Sequence, residues 1–232
     1  MQQHILFIDT ETSGLPKDWT QPYTNDDNWP HAVQVSWIVF ALDGTELKRE
    51  DHYIRDNDFD ISPEAFSVHG INRQFLNENG ERRQYVMDLL YTDLEQYQPL
   101  VVGHYMELDY HITGVDFFRL NMANPMDKLA MYCTMLGSKQ YARNPRIDYL
   151  RLGQLYGILF NKTLANQHNA MVDAQATAEC FFEMLCNGAI SDATIEKQRQ
   201  DREKRSLPIL KRGCAVPMLV LLIITLLIIH WI

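Results

Sequence analysis

Apolar positions change their spacing several times along the chain, and each change marks an element. Ile5 to Asp9 (ILFID) is a short apolar run between polar residues; it predicts a buried strand that ends on a carboxylate. Ala32 to Leu42 (AVQVSWIVFAL) begins in alternation and becomes wholly apolar. Asp43-Gly44 follows and Thr45 to Ile54 continues extended, so the pair predicts a β-hairpin. From Glu81 to Tyr97, the residues Tyr85, Met87, Leu89, Leu90, Leu94 and Tyr97 fall near helical spacing, and Pro99 ends that helix ahead of a strand at Leu100 to Gly103. A helix from Asp109 through Leu120, a short strand around Leu129 to Cys133, and helices around Tyr149 to Tyr156 and Met171 to Cys186 complete the body. Three antiparallel strands followed by alternating helices and strands predict an α/β fold. Its sheet is mixed and five-stranded, with helices on both faces and ligands near the strand ends.

The pattern ends differently. Val216 to Ile232 (VPMLVLLIITLLIIHWI) is 17 residues without a formal charge, about 25 Å if helical, and predicts a C-terminal transmembrane anchor. Lys204, Arg205, Lys211 and Arg212 stand just before it, so the positive-inside rule predicts a single-pass membrane protein with its body in the cytoplasm. The start, MQQHILFIDTETSG, has neither a basic region nor a long apolar one, and predicts no signal peptide.

Charge sharpens this division. The chain of 232 residues has a net charge of −9 and is 46% hydrophobic, which excludes a disordered chain. Positions 196 to 212 carry seven basic and three acidic residues, leaving residues 1–195 with a net −13. The organisation is therefore an acidic domain over 1–195, a basic stalk over 196–215 and an anchor over 216–232. An acidic body argues against coating long nucleic acid through counterion release, yet suits a metal site that handles one chain end. Cys133, Cys180, Cys186 and Cys214 form no CxxC pair and read as reduced thiols, Cys214 being a free thiol or an acylation site.

Three constellations carry chemistry. In Asp9-Thr10-Glu11, side chains two apart on a strand share a face, so two carboxylates can converge on one hard cation. Asp109 follows a buried strand and opens a helix, where an N-cap is the plainer role. His168 precedes Asp173 by five residues, a loop imidazole ahead of a helix-held carboxylate; histidine is the residue type best suited to take a proton near neutrality. Each pattern alone is common on protein surfaces. Together, four acids and a histidine match the needs of two-metal phosphodiester hydrolysis, in which two cations clamp the attacking and leaving oxygens and the histidine deprotonates the attacking water.

Here the sequence resembles the DEDDh group of 3′-to-5′ exonucleases over about residues 4–187. The resemblance is carried by Asp9-Thr10-Glu11-Thr12-Ser13-Gly14-Leu15, by Val102-Gly103-His104 with Asp109, and by His168-Asn169-Ala170 with Asp173 and Ala174. Val68-His69-Gly70-Ile71 also looks like a recurrent segment of the family. The resemblance implies a ribonuclease H-like fold, with Asp9, Glu11 and Asp173 binding one metal, Asp9 and Asp109 holding a second, and His168 as general base. Thr12 and Leu15 match positions that touch the terminal nucleotide, the latter as an apolar wedge, and His104 matches a position lining the cleft. Ser13, Tyr105 and Leu108 depart from the family's usual residues. The stretch Pro16 to Pro30 (PKDWTQPYTNDDNWP) is long for its place, and its Trp19, Tyr23 and Trp29 either stack on bases as a flap or pack on the scaffold.

The leading expectation is thus a metal-dependent 3′-to-5′ exonuclease releasing nucleoside 5′-monophosphates, with two Mg²⁺ ions, or Mn²⁺ in their place, as cofactors. Single-stranded or frayed 3′ ends suit it, since the terminal nucleotide must leave its stack, and DNA is favoured. RNA trimming or short-oligonucleotide degradation is the alternative within the class. A membrane-tethered scaffold that has lost catalysis is the alternative outside it.

Overall fold

The computed structural model of the protein describes residues 3–206, with 145 and 147 excepted. The predicted anchor at 216–232 lies outside the described residues. Among the described residues, no helix is long and apolar enough to cross a membrane. Contacts divide the chain into Met1–Arg199 and Gln200–Ile232, and the first unit holds the sheet.

In chain order the elements are β1 (His4–Thr12), β2 (Ala32–Ala41), β3 (Glu46–Tyr53), α1 (Pro63–His69), α2 (Arg73–Asn79), α3 (Arg83–Tyr97), β4 (Leu100–Gly103), α4 (Met106–Arg119), β5 (Met131–Cys133), α5 (Thr134–Gly137), α6 (Leu152–Phe160), α7 (Ala170–Cys186) and α8 (Asp192–Ser206). The described strands form one five-stranded sheet ordered β3-β2-β1-β4-β5. β1 pairs antiparallel with β2 and parallel with β4, as the mixed sheet read from the sequence requires. The hairpin turns where Asp43-Gly44 predicts, with Gly44 at φ +85°, a left-handed conformation that suits glycine.

The alternation of β1 fixes the layers. Leu6 and Ile8 pack with Val86 and Leu90 of α3 and Ile112 and Phe117 of α4; Ile5 and Phe7 pack with Leu155 of α6 and Ala174 and Phe181 of α7. Both faces of β1 and β2 are covered, which is why these strands read as apolar runs.

Several elements differ from the sequence reading. β1 extends three residues past Asp9 and so contains Glu11. α4 begins at Met106, which places Asp109 inside its first turn instead of at its cap. α1 and α2 carry no long apolar period and escape a periodicity reading, although Ser62 caps α1, Pro63 opens it and Gly70 closes it at φ +71°. The 195/196 boundary drawn from charge falls inside α8, because a basic, polar segment can be helical without an apolar stripe.

Candidate active site

The alternation that builds the core also places the acids. Asp9 and Glu11 continue the row of Ile5 and Phe7 toward α7, while Thr10 faces α4. On β2 their partners are Ser36 and Gln34. Gln34 is fully buried; its Nε2 donates to Asp51 at 2.8 Å and its Oε1 accepts the backbone N–H of Ala170 at 3.1 Å, pinning the start of α7 to the sheet. Asn169 caps the helix by accepting the Val172 N–H at 3.2 Å. Asp173, in the first turn of α7, is thereby brought to Glu11. Glu11, His168 and Asp173 each offer a ligand atom, all within 4.8 Å of one another.

Asp109 arrives from the opposite face of the sheet. Its Oδ1 accepts the Thr10 hydroxyl at 2.9 Å, so the middle residue of Asp9-Thr10-Glu11 aims the third acid while its neighbours face the fourth. Its Oδ2 lies over Gly103, where a Cβ would stand only 2.9 Å away. A glycine at the end of β4 is what leaves room for this carboxylate.

The electrostatics of the four acids follow from crowding. Burial raises Asp9 well above the ordinary carboxylate range, and Asp109, Asp173 and Glu11 add to it. Burial, with Asp173 and Asp109 beside it, pushes Glu11 up to about 8. Asp109 is pushed to about 7 by burial, against the Thr10 hydrogen bond. Burial also raises Asp173, opposed by the His168 N–H that it accepts at 2.9 Å. Asp173 Oδ1 is buried without a hydrogen-bond partner. An orphaned carboxylate oxygen among acids that repel one another has the chemistry of a hard-cation site, so the residues present fit divalent metal.

His168 is exposed and sits at φ +66°, in a loop where Asn166 is also left-handed. Its backbone N–H is anchored on Asp173, and the exposed imidazole keeps a ring nitrogen within 4.8 Å of the Glu11 and Asp173 carboxylates. The positions expected to touch a terminal nucleotide divide in three. Leu15 projects with 70% of its surface exposed, free to act as a wedge. Thr12 is buried and donates its hydroxyl to the Gly14 carbonyl at 2.6 Å, which shapes the turn. His104 has both ring nitrogens engaged, Nδ1 with the Thr134 hydroxyl at 3.0 Å and Nε2 with the Leu150 carbonyl at 2.9 Å, and burial lowers it to about 4. A neutral imidazole so occupied ties the end of β4 to the segment before α6.

Residues without an assigned role in the sequence reading hold the turn after Glu11. Ser13 accepts the His31 N–H on its hydroxyl at 2.9 Å and donates its own N–H to the His31 carbonyl at 2.8 Å. His69 Nε2 meets the Thr12 carbonyl at 3.2 Å, while its Nδ1 accepts the Ile71 N–H, which ties Val68-His69-Gly70-Ile71 to the turn after the acidic pair. Behind His31 lies a buried ionic group. Arg83 holds Asp58 at 2.7 Å and touches His31 Nδ1 at 2.9 Å, and Asp116 accepts Arg119 at 2.9 Å. Arg119 also donates to the carbonyls of Trp29 and Pro30. Long-range ion pairs of this kind leave no spacing in the sequence.

The 16–30 segment is packed on α4. Trp29 is buried and stacks on His111 with centroids 5.1 Å apart, and Tyr23 bonds His111 Nδ1 through its hydroxyl at 2.9 Å. Of its three rings, Trp19 alone is exposed, so the scaffold role holds for Tyr23 and Trp29.

A family model of exonucleases, RNase T, matches residues 6–181. Among solved structures, the chain is similar to E. coli exonuclease I in complex with a dT13 oligonucleotide, at 21% identity and TM-score 0.64, covering 79% of this chain and 41% of that one. It is similar also to the zinc-bound form of the E. coli enzyme with single-stranded DNA, at 19% identity and TM-score 0.65, covering 81% and 41%. The chain spans about two fifths of the length of these neighbours, and at such identities the likeness shows the ribonuclease H-like exonuclease fold. No curated protein sequence matches the chain significantly. The family match encloses all four acids and His168, and the chain belongs to the RNase T exonuclease family, of the DEDDh 3′-to-5′ type.

Proposed function

We propose that this protein hydrolyses phosphodiester bonds one at a time from the 3′ end of single-stranded nucleic acid, releasing nucleoside 5′-monophosphates. The observation that carries the reading is the convergence of Asp9, Glu11, Asp109 and Asp173 from three separate segments, with His168 at their edge. In this reading Asp9, Glu11 and Asp173 hold one divalent cation, and Asp9 and Asp109 share a second. Mg²⁺ suits all-oxygen ligands, with Mn²⁺ able to replace it. When bound, the cations offset the charge of the acids and stabilise the attacking and leaving oxygens. His168, the one proton-accepting group of the set that is neither buried nor acidic, takes the proton of the attacking water. Its anchored backbone keeps the imidazole beside Asp173. Leu15 separates the terminal base from its neighbour.

DNA is the favoured substrate, since the neighbouring exonuclease I structures hold deoxyoligonucleotides; RNA trimming is the alternative. The apolar segment 216–232 and the basic residues before it support a single-pass anchor that leaves the catalytic unit on the cytoplasmic side.

The test uses the full chain in detergent with 3′- and 5′-labelled single-stranded DNA and RNA of equal sequence, in Mg²⁺ or EDTA. Shortening from the 3′ end that needs metal, and that is lost in Asp9→Ala and His168→Ala, is expected. The DNA-to-RNA rate ratio selects the substrate. Folded protein that cleaves neither polymer in Mg²⁺ or Mn²⁺ would replace the enzyme with a scaffold.

A further inference from the structure

Two exposed aromatic rings at the N-terminal half of α4, the helix that carries Asp109, have no part in this chemistry. Trp19 is 37% exposed and Tyr105 is 38% exposed, and their centroids lie 6.0 Å apart with planes tilted by 46°. They come from different parts of the chain. Trp19 follows Leu15 by four residues, in the segment that packs on α4. Tyr105 lies between the end of β4 and α4, two residues after the glycine over which Asp109 rests. Tyr105 therefore borders the carboxyl end of β4, where Asp109 rests, and Trp19 joins it there through its contacts with Tyr105 and with His111, two residues after Asp109.

The Trp19 ring is fixed from beneath. Trp29 meets it edge-on at 6.3 Å and His111 at 5.8 Å. Asn28 holds the backbone of Asp18 at both ends, its Oδ1 accepting the N–H at 2.8 Å and its Nδ2 donating to the carbonyl at 2.9 Å. Arg119 fastens the far side of the loop to α4. A large apolar ring held open to solvent by this much buried structure loses little freedom when it meets a ligand.

Charge narrows what that ligand-binding surface must supply. Residues 1–195 carry a net −13, so attraction between basic side chains and phosphates cannot give the domain much hold on a strand. Stacking of bases on aromatic faces can, because it needs no positive charge and tolerates any sequence.

We propose that Trp19 and Tyr105 form a stacking platform for the bases lying 5′ of the nucleotide being removed. The proposal rests on the exonuclease reading and adds to it a subsite that selects single-stranded over paired substrate. Leu15 marks the boundary between the terminal base and the strand that the platform holds.

The full-length protein and its Trp19→Ala, Trp19→Phe and Tyr105→Ala variants would be compared on a 12-nucleotide oligothymidylate, with steady-state cleavage in Mg²⁺ and binding by anisotropy in EDTA. Expected is a rise of about tenfold in KM and in the dissociation constant for each alanine variant, with kcat within about twofold and partial recovery in Trp19→Phe. A purely structural role for Trp19 would instead lower kcat and the melting temperature together. Wild-type affinity and KM in both alanine variants would overturn the platform while leaving the exonuclease intact. Should the wild type cleave nothing, the exonuclease reading fails by itself, and the anisotropy series still decides whether these rings hold a strand.

Discussion

The molecule buries two groups of charge, and they are built on opposite plans. Asp109 and Asp116 stand on the same helix, two turns apart, and are 2% and 0% exposed. Burial raises both. Around Asp116, however, two guanidiniums pull the other way, and Arg83 and Arg119 carry the balance on to Asp58 and Asp26. Around Asp109 the nearest charges are three more acids. One group closes on itself and locks loops to helices. The other has no cation among its neighbours, so its crowded carboxyls are pushed toward keeping their protons. That lack, and not an unpartnered oxygen, which Asp173 Oδ1 and Asp116 Oδ2 share, marks it as a place for a cation from outside. Equal burial therefore says little about role; the sign of the neighbours says nearly everything.

The comparison breaks most visibly if the balanced group is unbalanced. Asp116→Ala removes the one fully buried carboxylate between Arg83 and Arg119, leaving them only the more exposed Asp58 and Asp26, and should lower stability by about 3–5 kcal/mol, read from denaturant unfolding. An effect under about 1 kcal/mol would mean that the guanidiniums find other partners. The opposite substitution in the acidic group should divide activity from stability. Asp173→Asn is expected to lower kcat/KM more than about 100-fold, beyond what loss of an outer partner of a metal ligand does, while leaving the melting temperature in EDTA unchanged or higher. A lower melting temperature there would show that the acids stabilise the fold.

Gly103→Ala probes the same group more gently. The new methyl meets Asp109 Oδ2 at 2.9 Å, so the carboxylate must move by a few tenths of an ångström. Activity should fall between about 10- and 100-fold with the fold intact, as judged by kcat and by circular dichroism. Unchanged kcat would show that Asp109 has latitude.

The smallest effect concerns pH. With Glu11 held at about 8 and Asp109 at about 7, from ordinary values of 4.5 and 3.8, the folded chain keeps protons that the unfolded chain has already released. The contribution of these groups to stability is then fully present below about pH 4 and is lost as pH rises toward 8. Melting temperature in EDTA should fall by several degrees between pH 5.5 and 8.5. Mg²⁺ should restore more at the higher pH, because it favours the ionised acids. A cation gain independent of pH would disconnect the raised carboxyls from metal binding.

How much of this was legible in the sequence depends on distance along the chain. The acids of β1 show themselves because a strand repeats every two residues and both fall within one short run. His168 and Asp173 show themselves because a loop and a helix start lie five residues apart. That the sheet is mixed was readable from a hairpin turn and the alternation of helices and strands that follows it, whereas its order, β3-β2-β1-β4-β5, left no local signal. By contrast, Arg83 and Asp116 are 33 positions apart and no local period links them. The function of His104 was decided by Thr134 and Leu150, neither of which announces itself as its partner. The aromatic residues of the 16–30 segment were visible as a set, but only the surface of α4 could sort the two that are covered from the one that is not.

The left-handed backbone of His168 has a practical consequence. A side chain with a Cβ is held there against a strain of about 1–2 kcal/mol, which asparagine tolerates better than most residues. His168→Asn should therefore relax the turn while removing the proton acceptor proposed for the attacking water and sparing all four acids. The product would be a sturdier protein that grips its strand without cutting it, suited to recovering from cells whatever polymer this chain meets there.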